Sequence, residues 1–148
     1  LDTNVVLDWL IFSDPTVGLL ATWIEDSRAG IVTRSDCREE LVRVLAYPRV
    51  PASPAARERA LAHYDRRAVP CAPPKPGTVC APLPECRDRD DQKFLELARD
   101  SGACWLITKD RHLLKLARKI RVQGFCFEVL DPIESGKRLS SPSRNALS

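Results

Sequence analysis

Residues 86–116 read CRDRDDQKFLELARDSGACWLITKDRHLLKL, and this stretch restricts the possible folds more than any other. Asp88, Asp90 and Asp91 precede a segment in which Phe94, Leu95, Leu97 and Ala98 recur at helical spacing. Ser101 and Gly102 stop that helix. Residues 103–108 form a short apolar run between Gly102 and the pair Lys109-Asp110, the pattern of a strand buried on both faces of a parallel sheet. Asp110 follows at once, and Leu113, Leu114 and Leu116 open another helical face. Acids therefore fall where one helix begins and where one strand ends. In an open α/β sheet, that edge is where ligands bind.

The flanking sequence repeats the alternation. Residues 1–7, LDTNVVL, are rich in β-branched side chains and read as the end of a strand, with Asp2 and Asn4 set into an apolar run. Burying Asp2 there is costly unless something pairs with it. Asp14-Pro15 starts a helix with Val17, Leu19, Leu20, Trp23 and Ile24 inward. Residues 31–33 read as a second strand. Ser35 caps a helix over residues 36–46, which Tyr47-Pro48 ends and which carries Glu40 about one turn in. Residues 55–65 predict a third helix and residues 68–71 a third strand. Residues 72–85, APPKPGTVCAPLPE, hold too much proline for a helix and predict a surface loop. A basic helix to about Lys119 and a last strand over residues 125–130 complete an α/β domain with a parallel sheet. Residues 1–131 are expected to form the domain, and residues 132–148 a flexible tail. The chain has no methionine and opens directly on Leu1, so part of the first strand is expected to be missing at the N-terminus.

The 148 residues suffice for one core. No apolar run is long enough to span a bilayer and no secretory signal is visible, which predicts a cytoplasmic protein without a membrane partner. The six cysteines include no CxxC pair, and only His63 and His112 could join them, which argues against zinc. They read as reduced thiols, with Cys104 inside an apolar strand and Cys37 on a helix. Net charge is only +3, but Lys109, Arg111, Lys115, Arg118, Lys119 and Arg121 crowd around Asp110. Solvated helix faces account for such a run; beside an acidic edge it also suits a polyanionic substrate.

Asp2, Glu40, Asp91 and Asp110 occupy equivalent places in successive units. Each has an ordinary structural account: Asp110 as a helix cap, Asp88 and Asp91 as a cap pair, Glu40 as an exposed helix residue. Together, at one sheet edge, they repel. Two unit charges about 4 Å apart at an effective dielectric of about 20 interact by roughly 4 kcal/mol. Such a group needs protons, basic partners or a cation. An all-oxygen donor set selects Mg²⁺ or Mn²⁺, and metals so held activate water and steady phosphoryl charge. The chemistry implied is phosphodiester hydrolysis.

LDTNVV, REEL, CRDRDDQKFLELA and WLITKDRHLLKL, in this order and spacing, resemble a PIN-domain protein, nearest to the (VapC-like) toxin components of bacterial toxin–antitoxin pairs. The resemblance implies a Rossmann-like three-layer sandwich around a mostly parallel five-stranded sheet, and a Mg²⁺-dependent endoribonuclease, with Mn²⁺ as a substitute. It assigns Asp2, Glu40, Asp91 and Asp110 as the catalytic acids, with Asp2, Asp91 and Asp110 on the metal. Asp88 or Asp90 stands in for Asp91 if the register is misjudged. Asn4, Thr108 and Ser35 support the site by hydrogen bonds, and Lys109, Arg111 and Lys115 hold RNA. Where relatives carry a further acid, this chain has Arg111 and His112, which puts a second metal in doubt. A small antitoxin protein and a homodimer are implied partners. A fold-retaining module that binds RNA or protein without turnover is the alternative. A phosphohydrolase of small esters is a third reading, without a matching nucleophile motif.

Overall fold

The computed structural model describes residues 1–141. The alternation is present, with helices α1 (Thr3–Leu7), α2 (Gly18–Glu25), α3 (Ser35–Leu45), α4 (Pro54–Arg67), α5 (Gln92–Ser101), α6 (Arg111–Leu114), α7 (Ala117–Val122) and α8 (Pro132–Ser140). β1 (Ile31–Thr33) pairs in parallel with β2 (Ala68–Pro70), Ile31 opposite Ala68. β3 (Trp105–Ile107) pairs in parallel with β4 (Glu128–Leu130), Trp105 opposite Glu128.

Local chemistry sets the boundaries. Asp14 accepts the Thr16 N–H at 2.8 Å and Pro15 opens the tight turn that feeds α2. Ser53 accepts the Ala56 N–H at 3.2 Å and Pro54 follows as the first residue of α4. Gly102, at φ +67°, takes the left-handed conformation that ends α5. Ser35 is not a cap: it is the first residue of α3, and extended Arg34 flanks the helix.

Successive strand residues enter different cores, as the period of two requires. Ile107 and Leu130 join Val5, Val6, Leu20, Ile24, Leu41 and Tyr64. Leu106 and Val129 join Phe94, Leu95, Leu113, Ile120 and Phe127. Ile31 and Val32 divide the same way, so both faces of the strand layer are covered by helices.

The expected five-stranded sheet is instead two separate parallel pairs among the described residues. Between them lies a cavity of about 390 Å³ lined by Leu1, Ile31, Val32, Trp105 and Ile107, among others. The segment read as the first strand is α1, continued by a π-helical turn at Asp8–Phe12. The β-branched Val5 and Val6 obtain burial from a helix as readily as from a strand, since β propensity largely reports packing. The one strand-like trace is the Asp2 N–H, which donates to Ile107 O at 2.9 Å.

The expected basic helix breaks into α6 and α7. The expected tail begins with α8: Asp131 accepts the Glu134 N–H at 2.8 Å, Pro132 follows, and Ser135 and Gly136 are buried. Gly136 lies so close to α2 that a Cβ there would meet Leu19 Cδ1 at 3.3 Å. The remainder of that expected tail, residues 142–148, lies outside the described residues. All six cysteines are free; Cys37 and Cys86 are buried, whereas Cys104 is exposed rather than a core residue. No single described helix is long and apolar enough to cross a membrane. The apolar pair Thr3–Phe12 and Pro15–Glu25 bends by 109° and lends Val5, Val6, Leu20 and Ile24 to the core.

Candidate active site

Asp2 is 3% exposed and stands at the mouth of α1. Its Oδ2 accepts the Thr108 hydroxyl at 2.6 Å, and its Oδ1 accepts the Asn4 N–H at 3.4 Å. Thr108, fully buried just past β3, also accepts the Asp110 N–H on its Oγ1 at 2.9 Å. One hydroxyl thus ties the carboxylate of Asp2 to the backbone of Asp110 and holds two sheet-edge acids in register. Asp110 caps α6 through Oδ1, which accepts the N–H groups of His112 at 2.7 Å and Leu113 at 3.2 Å. The structural role weighed from the sequence is real, and its Oδ2 is left out of that cap.

Asp91 ends the short turn Arg89–Asp91 that leads into α5. Asp88 starts the same turn, its Oδ1 accepting the Asp90 N–H at 2.9 Å. Among the described residues, the Asp91 carboxylate accepts no hydrogen bond and has no ion-pair partner. Burial first, then the charges of Asp2, Asp88, Asp110 and Glu40, push its pKa up to about 7. Acids from four separate parts of the chain therefore act on one carboxyl group. Asp2 is also raised, by burial and by the charge of Glu40, against the lowering effect of its bonds from Thr108 and Asn4.

Glu40, on α3, is held differently. Its Oε2 forms an ion pair with Lys93 Nζ of α5, and the same ammonium donates to Asp90 O at 2.7 Å. Arg34 sets the spacing of these two helices. It is 8% exposed and reaches Asp36 at 2.8 Å, Glu96 at 3.1 Å and Asp100 at 3.5 Å, fastening the start of α3 to α5. Neither Lys93 nor Arg34 was singled out from the sequence. Their long-range partners lie 53 to 66 positions away, and only the pairs Arg34–Asp36 and Lys93–Asp90 fall within a turn of one another in the sequence.

The other expected residues divide. Asn4 serves through its backbone N–H, and its exposed side chain bonds to nothing described. Ser35 is exposed, and its hydroxyl makes no hydrogen bond to the acids among the described residues. Lys109 is occupied, pairing with Asp8 at 2.7 Å and Asp14 at 3.1 Å. Arg111 and Lys115 are exposed, with no ion-pair partner among the described residues.

Among the described residues, no three His, Cys, Asp or Glu side chains are drawn into a coordination sphere. Thr108 brings Asp2 and Asp110 together and the charges of both act on Asp91, without the three closing into a coordination sphere. Burial and the mutual repulsion of the acids make Asp91 hold a proton more readily, and Glu40 has its own ammonium. Donor chemistry nevertheless fits a hard divalent cation. The group is all carboxylate, and the Asp91 side chain has no hydrogen-bond or ion-pair partner among the described residues. The neighbouring Cys86 thiol is pushed up by burial and by the charge of Asp91, which keeps it neutral and disfavours a soft-metal site.

A family model described as PIN domain matches residues 1–112, a span that contains all four acids. No curated protein and no solved structure matches the chain. PIN domains are generally nucleases, typically dependent on a divalent metal.

Proposed function

We propose, from the premise that this chain belongs to the PIN-domain family, that it is a Mg²⁺-dependent endoribonuclease and the toxin of a toxin–antitoxin pair. The observation that carries the proposal is Asp91, a carboxyl group without a hydrogen-bond or ion-pair partner among the described residues, whose pKa is raised to about 7 by burial first and then by the charges of Asp2, Asp88, Asp110 and Glu40. That is the electrostatic signature of a site short of positive charge.

Asp2, Asp91 and Asp110 would hold the cation. When bound, it lowers the pKa of water and offsets charge on the phosphoryl oxygens. The chain's own contribution is placement. Thr108 fixes one oxygen of Asp2, whose other oxygen takes only the 3.4 Å bond from the Asn4 N–H, and the α6 cap fixes one oxygen of Asp110 and leaves the second out of the cap, so both acids stand on rigid supports. Arg111 and Lys115, exposed just beyond Asp110, would hold the RNA backbone, and salt would weaken that contact. Lys109, committed to Asp8 and Asp14, would contribute little.

RNA cleavage with Mg²⁺, with chelator, and with Asp2→Asn or Asp110→Asn tests the chemistry. Undiminished cleavage in both variants would remove the mechanism. The second reading, an RNA- or protein-binding module without turnover, draws support from the acids not being assembled into a coordination sphere. It predicts salt-sensitive binding and no cleavage with any divalent metal. A small DNA-binding antitoxin encoded in the neighbouring reading frame would support the toxin role, as would its relief of cleavage.

A further inference from the structure

Resting on the metal dependence proposed above, we infer that Lys93 is a built-in counter-ion that withholds Glu40 from the metal, so that the site takes one divalent cation on its aspartates. Three observations converge. The ion pair between Lys93 Nζ and Glu40 Oε2 is largely shielded, with the side chains 16% and 13% exposed. The ammonium is also tethered to Asp90 O at 2.7 Å, one residue before Asp91, so it is fixed at the acid cluster rather than swinging in solvent. The Arg34 clamp between α3 and α5 keeps the two partners' helices in place.

The consequences are electrostatic. A carboxylate that carries a partly buried ammonium is a poor ligand, because a cation must displace or approach that positive charge. A second divalent ion beside Glu40 would face Lys93 directly. Lys93 thereby acts as a positioning residue: it neutralises the fourth acid, holds its side chain in one place, and sets the metal count.

Mn²⁺ titration of the metal-free chain tests this, with bound ions counted by electron paramagnetic resonance and affinity read by calorimetry. The unaltered chain and Lys93→Arg are expected to take one ion. Lys93→Met releases Glu40 and gains a second ion or binds the first roughly tenfold tighter, since ligand charge sets affinity. Adding Glu40→Gln to Lys93→Met abolishes the gain and returns affinity to within about threefold of the unaltered chain. That double variant removes both charges together, which a fold tolerates better than losing one. Two ions on the unaltered chain, no change in Lys93→Met, a gain that survives Glu40→Gln, or loss of the ion in the double variant would each overturn the inference. No ion on the folded, unaltered chain would remove the metal-dependent function itself, and this role of Lys93 with it.

Discussion

Asp91→Asn should stabilise the metal-free protein above neutral pH, an unusual outcome for a substitution at a catalytic acid. The folded state raises the Asp91 pKa from its ordinary 3.8 to about 7, so it binds a proton that the unfolded chain has released. Stability is then fullest below about pH 4, falls as pH rises from about 4 to 7, and stays lower above that. Full ionisation at a wholly shielded site would cost about 4 kcal/mol; Asp91 is only part-buried, and solvent screening reduces this to roughly 2 kcal/mol. Asparagine removes the charge at nearly constant volume, and the carboxylate accepts no hydrogen bond among the described residues that the amide could lose. In chelator near pH 8, Asp91→Asn should raise Tm by about 4–8 °C, and near pH 4 the difference should shrink toward zero. Mn²⁺ should raise the Tm of the unaltered chain and leave the variant nearly unmoved, because only a ligand that binds the folded state shifts the equilibrium. Calorimetric scans across pH, with and without Mn²⁺, read all of this. A variant less stable at pH 8, or a difference independent of pH, would refute the claim that burial and crowded negative charge raise Asp91.

Three further outcomes follow from particular contacts. Thr108→Val keeps the shape but strips a charge-assisted bond from Asp2 and an acceptor from the Asp110 N–H, so chemical denaturation should show a loss of about 2–3 kcal/mol. Arg34→Met leaves Asp100, 7% exposed, without its Arg34 contact and unfastens α3 from α5; equilibrium unfolding should register a loss of about 3 kcal/mol. Arg111→Gln with Lys115→Gln should weaken RNA binding and flatten its salt dependence by about two phosphate contacts, whereas Lys109→Gln should leave binding nearly unchanged and cost under about 1 kcal/mol of stability. Filter binding across a salt series, beside thermal melts, separates the two; equal binding losses would mean Lys109 leaves Asp8 and Asp14 for the substrate.

Local pattern was legible wherever a short-range rule governs. The apolar spacing of Phe94, Leu95, Leu97 and Ala98, the stop at Gly102, the Asp14-Pro15 start and the proline-rich loop all stand as read. Residues 1–7 were misread because Val5 and Val6 satisfy a strand pattern and a buried helical turn equally, and what decides between them is the company they keep. The helix Pro132–Ser140 was not legible because Pro132, Ser135 and Gly136 do not look like core residues; it takes the close approach of Leu19 to give a small-residue face something to cover.

The sequence by itself determined the alternation of elements and the acids within them, because each depends on neighbours within a few positions, and the family, because the order and spacing of short motifs are written along the chain. Tertiary structure alone decided what those acids do to one another. The Thr108–Asp2 bond spans 106 positions and the Lys93–Glu40 pair 53, and electrostatic energy depends on separation in space and on shielding from water, neither of which is written along a chain.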